Sequence, residues 1–336
     1  MNVVTHALAS LVLARAVMPR ASYGAWAVVL VAGTIADLDA LSAISGPSAY
    51  LAWHHTYTHS LGVAFVAAAV LVTTYVLLAR RSAALRVSVA ALSATAALAA
   101  CLHLATDACT SEGVAALWPF SARRMAADWL ASVDPWIIAI LIAALLLPEL
   151  LHLVSSEIGA KDKRPRGRVG AILGILLVML YVGMRATLHS NVVAAMQART
   201  YRTELPRRIA AFPESASLFS WHGIVETDSA LHQLTLNALP GASFDPESGV
   251  TLFKPESSPA LDRARDSNAA KAFLQFARFA KATVEKTPSG SEVQIRDLRY
   301  AAAGETRREI VVLVNIDASN NVADDALVWA RDIHHR

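Results

Sequence analysis

Apolar residues come in long blocks over the first part of the chain and in short alternating runs after it. A helix that crosses a bilayer needs about 20 apolar residues. The blocks Tyr23–Ile44, Thr58–Ala79, Ala84–Thr106 and Pro135–Val154 reach that length with few charges, and Val169–Leu188 adds another. The shorter block Val4–Val17 is expected as a short span. From about residue 191 the pattern changes. Val250–Phe253, Glu292–Ile295 and Glu309–Ile316 alternate as strands do, and Ala260–Lys286 is expected as one long helix bounded by prolines. The expected fold is an all-α multi-pass membrane domain of about 5–6 helices over residues 1–190. A soluble α+β domain follows over 191–336.

Composition supports this division. Hydrophobic residues make up 55% of the chain, above the roughly 45–50% of soluble domains. The start, Met1 to Arg20, contains His6 and lacks a basic n-region, so no cleavable signal peptide is expected there. The two cysteines, Cys101 and Cys109, do not make a disulfide framework, since Cys101 lies in an apolar run.

Charge then orients the helices. Lysine and arginine gather in cytoplasmic loops. Arg15 and Arg20, then Arg80, Arg81 and Arg86, then Lys161, Lys163, Arg164, Arg166 and Arg168 fill alternate connections. The other connections, Leu41–Tyr57 and Asp107–Asp134, and the tail are then extracytoplasmic. Arg199, Arg202, Arg207 and Arg208 after the last span argue mildly the other way. Membrane topology already accounts for the basic clusters, so nucleic-acid binding has little support.

Ionisable residues in or beside membrane helices are costly and point to function. They are His6, Asp37, Asp39, His54, His55, His59, His103, Asp107 and Asp134. On the topology above, all fall on the side opposite the arginine turns. Imidazole with carboxylate suits zinc, manganese or iron, and the absence of a cysteine pair argues against a structural zinc site. His55 and His59 are four apart, as are His103 and Asp107, so each pair shares a face where the chain is helical. Asp37 and Asp39 are two apart. Either the helix has ended there, or one binds metal and the other orients a histidine. Asp134, before Pro135, is a helix cap or a ligand. His152 and His189 read as structural, and Glu149 with His152 as local polar packing.

The motifs resemble the YdjM-like family of predicted inner-membrane metal-dependent hydrolases. They are Thr5-His6-Ala7-Leu8, Ala36-Asp37-Leu38-Asp39, His54-His55-Thr56-Tyr57-Thr58-His59-Ser60, and His103-Leu104-Ala105-Thr106-Asp107 followed by Gly113 and Pro119-Phe120. They occur in order over residues 5–124. Ala36 replaces a usual proline, and His55 a usual arginine that would have supplied a cation for an anionic group. The family is also distantly similar to zinc-dependent phospholipase C and the S1/P1 nucleases. Carried over residue by residue, the resemblance implies His6, Asp37, His54, His59, His103 and Asp107 as metal ligands, with Asp39 a ligand or an orienting group. The cofactor expected is a divalent metal, zinc first and manganese or iron otherwise, as one to three ions.

The expected function is metal-assisted hydrolysis at the inner membrane. A bound metal lowers the pKa of water from near ~16 toward ~7. Asp39 or Asp37 would accept the proton. The apolar surround suggests a phosphoester of a lipid or lipid-linked substrate. No Gly-x-Ser-x-Gly or His-Glu-x-x-His is present. Two rivals use the same residues: an ion or metal transporter, and a metal-binding scaffold or sensor without turnover.

Overall fold

Helix breaks and caps divide the apolar blocks more finely than hydropathy does. A computed structural model describes residues 1–79, 87–157, 167–239, 241–301 and 309–331. The arginines at 80, 81 and 86 and the basic residues 161–166 lie outside the described residues. The chain separates into two compact units, Met1–Asp39 with His55–Thr187, and Ala40–His54 with Leu188–Arg336. Ala40–His54 thus belongs with the tail residues, although the division at residue 190 would group it with the helices.

The first unit is helical. Helix α1, Val3–Val17, starts where the Asn2 side chain accepts the Thr5 amide at 2.8 Å, satisfying one of the amides a helix start leaves open. It has 15 residues, fewer than the bilayer-crossing length. Helix α2, Tyr23–Ala32, stops at Gly33, and a 3-10 stretch, Ile35–Ser45, follows with a bend of 51°. The expected single span Tyr23–Ile44 is therefore broken. The Thr34 hydroxyl donates back to the Leu30 carbonyl at 2.9 Å, which competes with continued helix. After the short α3, Pro47–Trp53, come α4, Leu61–Ala79, and α5, Val89–Ala108. Then come α6, Pro135–Glu157, and α7, Arg168–Gln197. Helices α4 to α7 are long and apolar enough to cross a membrane, and the bent pair at Gly33 makes a fifth candidate.

Helices α1, α2, α4 and α5 pack through Leu13, Val29, Ala68, Val72, Leu92, Ala96 and Ala99. Small side chains there let the helices approach closely, which drives packing where hydrophobic transfer does not. Arg15 is buried and forms an ion pair with Glu149 of α6, and donates to the Leu145 carbonyl at 2.9 Å. Glu149 therefore pairs with α1.

The second unit holds two four-stranded antiparallel sheets. The first is β1, Arg208–Pro213, β2, Ser220–Glu226, β3, Ala230–Asn237, and β4, Val250–Phe253, in that order. Its core gathers Trp221, Val225 and Leu234 with Val192 and Met196. Two short helices follow, α8, Pro259–Asp266, and α9, Asn268–Phe276. The second sheet is β5, Ala280–Thr287, β6, Gly290–Asp297, β7, Ile310–Asp317, and β8, Val322–Trp329. The single helix expected over Ala260–Lys286 is corrected to two helices and a strand. Ser267 takes extended backbone and accepts the Ala270 amide, which ends α8 and caps α9. Beyond Ala277, Ala282 and Val284 alternate with polar residues and pair with Ile295 and Val293. Leu51 of α3 joins the core of this second sheet, and Tyr50 meets Trp329 at 5.5 Å between ring centres.

Candidate metal centre

Three parts of the helical unit bring histidines to one carboxylate. His6 lies in the first turn of α1, and His103 sits one turn before Asp107 on α5. His55 and His59 lie in the irregular stretch leading into α4. That stretch is tied to the α5–α6 connection by backbone bonds, Ala115 N–H to the His55 carbonyl at 3.1 Å and Leu61 N–H to the Ala116 carbonyl at 3.0 Å. His55 holds a φ of 58°, a left-handed conformation that costs a residue with a side chain.

The side chains then converge. His6 Nε2 is 3.3 Å from Asp107 Oδ1. His59 Nε2 and His103 Nε2 are 3.3 Å and 3.2 Å from Asp107 Oδ2, and His55 Nε2 is 3.9 Å from it. The Met1 nitrogen also lies against Asp107 Oδ1. Asp107, His59, His55, His6 and His103 are all buried.

The other ring nitrogen of each histidine sets the chemistry. His6 Nδ1 meets Asp37 Oδ2 at 3.0 Å, and His59 Nδ1 meets Asp39 Oδ2 at 2.9 Å. His103 Nδ1 meets the Gly33 carbonyl at 2.8 Å, and His55 Nδ1 the Gly113 carbonyl at 2.8 Å. A carboxylate or a carbonyl only accepts, so the proton belongs on Nδ1 in every case. Each Nε2 then presents its lone pair toward Asp107. His6 Nε2 and Asp107 Oδ2 receive no hydrogen bond among the described residues, although Nε2 atoms lie within 3.3 Å of Asp107. Buried acceptors are normally satisfied. Acceptors that face one another instead form the donor set of a cation, with an oxygen behind each imidazole to orient it.

Two of the groups that fit a metal ion share Asp107, His6–Asp37–His103–Asp107 and His55–His59–Asp107, with ligand atoms within 4.8 Å of one another in each. These buried groups can hold a metal. Nitrogen and carboxylate oxygen without thiolate suit zinc, manganese or iron.

Residues 1–192 match the family described as YdjM inner membrane protein. The chain belongs to that family. It is a multi-pass membrane protein, and its histidine–aspartate cluster lies within the part that matches. Residues 259–335 match the YfhP C-terminal alpha/beta plait domain, which here covers α8, α9 and the second sheet. Neither a curated protein nor a solved structure matches the chain.

The other residues singled out in this YdjM-family chain fall as follows. Asp39 Oδ2 accepts from His59 Nδ1, from the His55 amide at 2.9 Å and from the Thr58 hydroxyl at 2.9 Å. That is an orienting position. His54 is in neither of the two groups at Asp107; its ring stacks on Tyr50 at 4.4 Å within the second unit. Asp134 caps α6, accepting the Trp136 and Ile137 amides at 3.0 Å and 3.2 Å, and takes the Tyr181 hydroxyl at 2.8 Å. The carbonyls of Gly33 and Gly113 were not legible as site groups, because a backbone oxygen leaves no mark in a sequence. Gly113 did stand in the quoted motif, and its φ of 63° with the Met125 carbonyl 2.5 Å from where a Cβ would stand shows why a glycine is needed there.

An apolar cavity of about 260 Å³ opens beside the cluster. Ile35, Leu38, Val63, Ala67 and Leu104 line it, with Thr58 and His103 at its polar edge.

Proposed function

We propose that this protein is a membrane-bound metal-dependent hydrolase that cleaves a phosphoester of a lipid or lipid-linked substrate. The observation that carries the reading is the orientation of the imidazoles: every Nδ1 is held by an acceptor and every Nε2 faces Asp107. A divalent metal, zinc first, would be held by Asp107 and these Nε2 atoms. When bound it would supply an activated water and a positive charge for the scissile oxygen.

The chain's own residues supply the rest. Asp39 is taken up in holding His55, Thr58 and His59. Asp37 keeps 15% of its side-chain surface exposed while it holds His6, so it is the better placed of the two to accept a proton from water. The cavity beside His103 takes an acyl or prenyl chain, which supports a lipid substrate over a soluble one. Arg124 donates to the Thr56 hydroxyl at 3.2 Å, next to His55 in sequence, and serves as the cation for an anionic head group. The arginine pattern supports a cluster and tail on the extracytoplasmic side of the inner membrane. A transporter would need polar residues continuing through the bundle, and the helices pack there through alanine, valine and leucine.

The test is to purify the protein in detergent, measure its metal, and assay phosphodiester and phosphomonoester lipids. Bound metal, and hydrolysis lost in His59→Ala and Asp107→Ala, is the expected result. Metal-free protein, or full activity in both variants, overturns the reading. Metal with no hydrolysis of any lipid ester favours the scaffold or sensor reading, and flux in proteoliposomes the transporter.

A further inference from the structure

We infer that the centre holds two cations that share Asp107, the second bound by His55 and His59. This rests on the metal reading above and deepens it. The Asp107 carboxylate has two oxygens with different neighbours. Oδ1 faces His6 at 3.3 Å and the Met1 nitrogen, whereas Oδ2 faces His103 at 3.2 Å, His59 at 3.3 Å and His55 at 3.9 Å. The two groups of converging ligand atoms have only Asp107 in common. A single zinc in a tetrahedral site closes with four donors at about 2.0–2.2 Å. The four Nε2 atoms and both Asp107 oxygens exceed that number, and a carboxylate between paired metals is the arrangement that uses all of them.

His55 is the residue on which the second site turns. Family resemblance implies no ligand role for it, since an arginine is usual at its position. Here its ring is buried and its Nδ1 faces two acceptors, the Gly113 carbonyl at 2.8 Å and Glu112 Oε2 at 3.8 Å. Its Nε2 is thereby turned to the Asp107 oxygen that receives no hydrogen bond. The backbone is left-handed at this residue, a conformation kept where the aim of a side chain matters. A histidine serving only to fill space would not need both constraints.

His55→Asn separates the possibilities. Asparagine tolerates a left-handed backbone and can donate to the Gly113 carbonyl, but it has no atom in place of Nε2. The full-length protein in detergent is loaded with Mn²⁺, freed of excess, and measured by metal analysis and by electron paramagnetic resonance. Wild type is expected to carry two ions per chain with an exchange-coupled spectrum, and His55→Asn one ion with the six-line spectrum of isolated Mn²⁺. One ion in wild type, unchanged in His55→Asn, overturns the second site and leaves the metal reading intact. Two ions in both proteins overturns the role of His55. No ion in wild type overturns both. Should His55→Asn fail to give a single peak on size exclusion, the wild-type spectrum decides alone: isolated Mn²⁺ at saturation overturns the proposal.

Discussion

Each unit buries an aspartate at the end of an element, Asp107 in the last turn of α5 and Asp297 at the end of β6. Asp297 is surrounded by donors. The amides of Arg278, Phe279 and Arg299 and the Arg299 guanidinium all give it protons, at 2.8–3.4 Å. Asp107 meets one donor, the Met1 nitrogen at Oδ1, and otherwise imidazole nitrogens whose protons face away from it. Burial is the same, and the imidazoles around Asp107 are opposite in kind to the N–H groups around Asp297. A carboxylate saturated by N–H groups is a structural joint. One that meets lone pairs is half of a binding site, and what the ring nitrogens do on their far side tells the two apart.

Experiments can break this contrast. The largest effect is expected from Asp107→Asn, which removes the shared ligand. Bound metal should fall to background while the protein still runs as a single species in detergent. Metal retained at the wild-type level would remove Asp107 from the centre. Next, Asp297→Ala leaves the buried Arg299 without its partner, and breaking a buried pair costs about 3–5 kcal/mol. Thermal unfolding should report that loss, with metal content per folded chain unchanged. A variant as stable as wild type would mean that the arginine finds water instead.

A smaller effect follows from Asp39→Asn, which keeps the shape but weakens the hold on His59 Nδ1. Loss of an orienting carboxylate lowers metal affinity about 10–100-fold. A competition titration with a chelator reads it, and loss of all metal would make Asp39 a ligand. The smallest effect concerns a histidine with no metal role. Burial pushes the His222 imidazole down to about 4, against 6.5 for the free side chain. It stays neutral in the fold while the unfolded chain takes up a proton, so stability is full above pH 6.5 and falls as the pH drops toward 4. Melting temperature against pH should be flatter for His222→Phe across that window. Equal slopes would place the acid sensitivity elsewhere.

Much of the candidate site was legible because each ionisable residue interrupts an apolar helix, where it is costly. His6, His103 and Asp107 could be picked out on that ground alone. The roles of Asp37 and Asp39 could not, since spacing leaves ligand and orienting group equivalent until the histidines they face are known. His54 and His55 are neighbours in sequence, yet the chain turns between them, with φ of 58° at His55. No periodicity carries that turn. In the tail, the strands β4, β6 and β7 showed through their alternation. The break at Ser267 did not, because a serine within an otherwise helical run is a cap only if the helix has reason to end.

Gly33 contributes no side chain, yet it sets three distances at once. Its carbonyl holds His103, and a Cβ there would stand 2.0 Å from Ser10 Oγ and 3.4 Å from Ala99 Cβ. Ser10 is one turn from His6 on α1, and Ala99 one turn from His103 on α5. A random genetic screen for inactive alleles should therefore return changes at this glycine as often as at the histidines. A heritable defect would map to a position that, by its chemistry, looks silent.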